Sequence, residues 1–147
     1  MRLSLILVIF LIISCKTKTQ EALTVEIIKN DSIIRKNYIL AALKNIANSE
    51  HVEAEQIGYG LKRSDVFKSF INLKELATPL ELFRLVNNNN VNIKVYAYVA
   101  LVEKDSILAK QAFKIHRNDR QEFTLYSGCI ISKETVDEYF AQVISGN

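Results

Sequence analysis

The chain has 147 residues, 49% of them hydrophobic and 24% charged, with one proline, four glycines, two cysteines and no tryptophan. Disordered, collagen-like and disulfide-stapled classes are thereby excluded, and one small ordered domain is expected. Nineteen basic against sixteen acidic residues leave a net charge of only +3. Its densest basic stretch, Lys62 and Arg63 with Lys68 nearby, is interrupted by Asp65. Nucleic-acid binders concentrate their charge, so nucleic acid is not an expected partner.

Arg2 precedes a near-continuous apolar run from Leu3 to Ile13, the layout of a secretory signal sequence. A membrane-crossing helix needs about 20 apolar residues, and this run gives way to Lys16 and Lys18 well before that, so a permanent span is not expected. The end of the run, Ile12-Ile13-Ser14-Cys15, resembles the lipobox of bacterial lipoproteins. The resemblance implies that residues 1–14 are a signal peptide removed in export, that Cys15 becomes the first residue and carries lipid, and that residues 15–22 are a lipidated tether. Several acyl chains, at about 0.8 kcal/mol per buried methylene, hold a protein on a bilayer where one chain does not. Lys16 rather than aspartate follows the cysteine, which in that family favours the outer over the inner membrane of the cell envelope. With Cys15 acylated, Cys129 has no intramolecular disulfide partner, and the remaining domain, residues 23–147, relies on its core alone.

Within that domain, Leu23-Thr-Val-Glu-Ile-Ile is ambiguous between strand and helix. Residues 31–49 place Ile34, Tyr38, Ala41, Ala42 and Ile46 at three- and four-residue spacing, an amphipathic helix with Asp31 or Ser32 as cap. From Glu50 to Arg63 the period fades around Gly58-Tyr-Gly60, and a long loop is expected. These two glycines do not form a phosphate cradle, since no third glycine or Gly-Lys-Ser follows. Ser64 or Asp65 then caps a helix with Val66, Phe67, Phe70, Ile71 and Leu73 on one face, ending near Ala77. Thr78-Pro79-Leu80-Glu81 combines a capping threonine, proline at the first helical position and a capping-box glutamate, so another helix starts at once. It ends at Asn87 to Asn90.

The segment from Val91 to Glu103 is apolar almost all round. A helix of that kind must be buried between neighbours, and its length and helical surroundings favour helix over strand. At this point the chain resembles a HEAT-type helical repeat. Ile93-Lys94, Ala97 and Ala100-Leu101 follow Asn89 and Asn90 in the order of that family's second helix, and the match covers residues 64–104. Asp105-Ser106 can cap a further helix, Phe123 to Ile131 is an extended connector, and Ser132 caps a last helix. The resemblance therefore implies an all-α fold, a short superhelix of HEAT-like helical hairpins closed by an irregular C-terminal cap, as short solenoids require.

Chemistry is sparse. His51 and His116 lie far apart without a second ligand at metal spacing, whereas a zinc site needs three or four. The Glu50-His51-Val-Glu53-Ala-Glu55 run reads as solvated, and Cys129, among Tyr126, Ile130 and Ile131, as a small buried hydrophobe rather than a nucleophile. Asp31-Ser32-Ile33 and Asp105-Ser106-Ile107 resemble a bacterial O-glycosylation triplet, but helix capping explains both. No catalytic residue, metal or cofactor is expected.

The sequence thus predicts a lipid-anchored interaction module of the bacterial cell envelope. Its expected contacts are the membrane, through its lipid, and another envelope protein or peptide. Asn90, Asn92, Tyr96 and Tyr98 are its candidate surface. The alternative is a carrier of a small molecule or lipid, with an apolar cavity between the Phe67/Phe70 helix and the Tyr96/Tyr98 helix.

Overall fold

The computed structural model describes residues 31–146, so the leader, Cys15 and the tether lie outside the described residues. The chain divides into two units, Met1–Asn37 and Tyr38–Asn147. The division falls inside helix α1, whose described residues are 31–47, and the architecture below is that of the second unit. After α1 come β1 (Val52–Ile57), β2 (Lys62–Arg63), α2 (Asp65–Leu76), α3 (Pro79–Leu85) and α4 (Val91–Lys104). The chain continues with α5 (Ser106–His116), β3 (Glu122–Gly128), β4 (Ile130–Thr135) and α6 (Val136–Ser145).

The expected all-α superhelix is therefore corrected to a mixed α/β fold, and the HEAT-like stacking falls with it. The strands form one four-stranded sheet in the order β2-β1-β3-β4. Its two outer pairs are antiparallel hairpins. The central pair is parallel, with Val52 opposite Leu125 and Glu53 opposite Tyr126. Parallel neighbours require a long crossover, and helices α2 to α5 provide it. The segment expected as a loop is β1, a turn and β2; the expected connector is β3 and the start of β4. Ser132 lies inside β4, and α6 begins after Thr135, whose side chain makes no capping bond.

Strand β3 shows why this sheet forms. Phe123 and Leu125 alternate with Thr124 and Tyr126, so one face carries apolar side chains toward the helices, where Phe123 meets Tyr139 edge to face at 5.2 Å between ring centroids. Helix α4 is the centre of the molecule. From Asn92 to Val102 every residue except Val99 is buried. Helices α2, α3, α5 and α6 and strands β1 and β3 all pack on it. Ala97 and Ala100, both fully buried, allow that close approach on several sides. An all-round apolar helix thus does need neighbours on every side, but two of them here are strands.

Local starts follow the sequence closely. The Ser64 hydroxyl accepts from the Phe67 N–H at 2.8 Å to cap α2. Thr78 and Glu81 form the reciprocal capping box of α3. Asp105 caps α5 by accepting from the N–H groups of Ile107 and Leu108.

Candidate functional site

The four sequence-predicted surface residues are used inside the fold. Asn90 caps α4, accepting from the Ile93 N–H at 3.1 Å, and donates to the Ala47 carbonyl at 3.2 Å. Asn92 is buried and donates to the Ser49 carbonyl at 2.8 Å. The Tyr96 hydroxyl donates to the Glu53 carbonyl and accepts from the Glu53 N–H, each at 2.7 Å. Tyr98 lies flat on Phe140, 3.6 Å between centroids, with its hydroxyl 3.4 Å from the Phe140 carbonyl. Burial pushes the Tyr98 phenol up to about 12 and also raises Tyr96, whose Glu53 backbone bond only partly offsets it. These residues tie α4 to α1, β1 and α6 instead of facing a partner. Both tyrosines and Asn92 are polar-tipped residues whose sequence pattern does not tell a buried tie from an exposed contact.

An open groove runs elsewhere, between the β1–β2 hairpin and α2. Its volume is about 580 Å³ and its walls include Glu55, Arg63, Asp65, Phe67, Lys68 and Ile71. Phe67 and Ile71 stand four positions apart on α2, which places them on one helix face as an apolar floor. Charged side chains form the rim, among them the Arg63–Glu55 ion pair at 3.0 Å. Glu55 and Phe67 also border a recess of about 240 Å³, which Phe70, Tyr96, Val99, Leu125 and Tyr139 line farther in. The recess is walled by an aromatic row: Phe67 is 5.3 Å from Phe70, which stacks on Tyr96 at 4.9 Å.

Strand β2 pairs only with Gln56 and Ile57, so the rest of the β1 edge has to be closed by side chains and backbone from elsewhere. The Tyr96 hydroxyl satisfies Glu53, and the Ser64 N–H donates to the Glu55 carbonyl at 3.0 Å. Ser64 also donates its hydroxyl proton to the Glu53 carboxylate at 2.6 Å. A partner in the groove therefore meets side chains and not a free strand edge. The sequence marked Phe67 and Ile71 as core, because the helical period that buries Phe70 and Leu73 is the same period that lays out this floor.

A second cluster sits where β3 begins. Lys94 donates to the Asp119 carboxylate at 2.7 Å and to the Gln121 side-chain carbonyl at 2.8 Å. The His116 ring lies 3.0 Å from the same Asp119 oxygen and 3.3 Å from the Asn87 side-chain oxygen. Burial alone would raise the Asp119 carboxyl, but bonds from Lys94, then His116 and the Gln121 N–H, outweigh it and hold the group below the usual carboxylate range. Every polar group is spent on a neighbour, so the cluster fixes the α5–β3 connection rather than offering a reactive centre. Among the described residues no group of three or more His, Cys, Asp or Glu side chains has the arrangement of a metal site.

No protein-family model matches the chain, and no curated protein matches it either.

Proposed function

We propose that the protein is a lipid-anchored binding module of the bacterial cell envelope that takes a polypeptide segment in the groove along α2 and catalyses nothing. One observation carries this: an open groove of about 580 Å³ whose apolar floor is Phe67 and Ile71 and whose rim is charged in both senses. A polypeptide offers that same mixture, an apolar side chain for the floor and polar groups for Arg63, Asp65 and Lys68. The adjoining recess of about 240 Å³ accepts one side chain of the partner. It lies where the carrier reading places its cavity, and at about 240 Å³ it is smaller than the roughly 300–1,000 Å³ of ligand-sized pockets. The anchor remains the acylated Cys15 that the lipobox resemblance implies.

The test places a photo-crosslinking side chain at Asn72, on the groove, and at Lys114, on α5, in the full chain in intact bacteria. The expected result is a discrete polypeptide adduct from position 72, absent from position 114 and abolished by Ile71→Glu. Identical adducts from both positions, or none from position 72, refute the groove. Fatty-acid labelling lost in Cys15→Ala supports the anchor, whereas equal labelling removes it.

A further inference from the structure

The other unexplained feature is the end of the sheet where β1 and β3 both finish. The Gly58 N–H donates to the Gly128 carbonyl at 2.6 Å, which holds the β1–β2 and β3–β4 turns side by side. Gly58 and Gly128 adopt φ of +74° and +55°, a region open to glycine, and both turns depend on it. Leu61 adopts φ of +47°, which costs a branched residue energy unless something repays it. Large apolar side chains stand exposed on the first of these turns and at the start of β4: Tyr59 is 99% exposed, Ile130 70%, Ile131 58% and Leu61 56%. None of them belongs to the buried core of the described residues.

Charge singles out the occupant. From Gln56 to Ser64 and from Phe123 to Lys133 there is no acidic residue, while Lys62 and Lys133 stand exposed just behind the apolar tips. Lysine is depleted at protein interfaces, whereas apolar tips backed by lysines suit an anionic bilayer surface. We propose that the two turns form a membrane-docking tip, with Tyr59, Leu61, Ile130 and Ile131 at the acyl boundary and Lys62 and Lys133 on lipid phosphates. Tyrosine suits that depth, being apolar in body and polar at its end. The tip depends neither on the groove nor on acylation of Cys15.

The chain contains no tryptophan, so Tyr59→Trp supplies a single reporter on a fully exposed turn. Ile115→Trp on α5 is the control, and each full-length variant is reconstituted in vesicles of phosphatidylcholine with or without phosphatidylglycerol. The expected result is a blue shift and quenching by brominated lipid at position 59 only, dependent on phosphatidylglycerol. Adding Lys62→Gln and Lys133→Gln should reduce tip insertion about thirtyfold, the loss of two lysine–membrane contacts. Emission that stays water-like, equal quenching at both positions, or equal insertion in pure phosphatidylcholine overturns the proposal. A shift that requires envelope extract in place of vesicles assigns the tip to a protein and overturns it too.

Discussion

At the end where β3 begins, Lys94, His116, Asp119 and Gln121 draw their polar groups into bonds with one another, whereas at the end where β3 stops, Tyr59, Leu61, Ile130 and Ile131 stand in water. The first arrangement costs desolvation and repays it with a fixed connection between α5 and β3. The second gains little for folding, since most of the apolar area is left exposed. Scattered exposed hydrophobes are ordinary, but these gather on the β1–β2 turn and the adjacent start of β4, and that turn keeps a leucine in a left-handed conformation. One pole is thus shaped by the requirements of folding, and the other by contact with something outside the chain.

The polar pole offers the largest effect. Asp119→Ala leaves the Lys94 ammonium, only 9% exposed, without its carboxylate, and unfolding by urea should show a loss of about 3 kcal/mol. Replacing both partners, Lys94→Met with Asp119→Leu, should cost less than Asp119→Ala alone, because no buried charge is then orphaned. A double variant as damaged as the sum of its parts would mean that the residues do not act as a pair.

Acid probes the same carboxylate with a smaller effect. Asp119 titrates below its ordinary 3.8 in the folded chain. Its folded value is lower than its unfolded one, so its contribution is complete above about pH 4 and is lost as pH falls through the folded value. Urea midpoints measured downward from pH 6 should therefore decline more steeply below pH 4 for the wild type than for Asp119→Asn. Parallel declines would show that the Lys94 and His116 bonds do not favour the carboxylate.

Helix starts were legible because each is a local event. Ser64, Thr78-Pro79 with Glu81, and Asp105 cap their helices by bonds within a few residues of the chain, whereas Ser132, expected to cap the last helix, lies in β4. The sheet was not legible for the opposite reason. Strand β1 carries Glu53 and Glu55, which strands usually avoid, and its partner β3 is separated from it by four helices. Val52-Glu-Ala-Glu in β1 and Phe123-Thr-Leu-Tyr in β3 each show a two-residue alternation, too short to announce a sheet alone. Burial on α4 was readable as an amount but not as a direction: Tyr96 and Tyr98 stood as candidates for an interaction surface as well as for the core, and both are buried ties. Cys129, expected to be buried, is exposed, because it sits in the β3–β4 turn beside Ile130 and Ile131, which are themselves exposed at the start of β4.

The smallest effect on stability separates the two poles most sharply. Leu61 holds a left-handed backbone that costs a side-chain-bearing residue roughly 1–2 kcal/mol. Leu61→Gly removes that cost but adds freedom to the unfolded chain, worth about 0.5–1 kcal/mol against folding. Stability should therefore rise by roughly 0.5 kcal/mol, or stay level, in the same urea experiment. The same change deletes an apolar side chain from the tip, so insertion of the Tyr59→Trp reporter into anionic vesicles should weaken even as the fold gains. A loss of stability above about 1 kcal/mol would show that Leu61 packs against the fold and contributes to it, which a surface substitution does not do. A leucine kept where glycine is the better residue for folding, and needed when lipid is present, is what a surface shaped by its contact would retain.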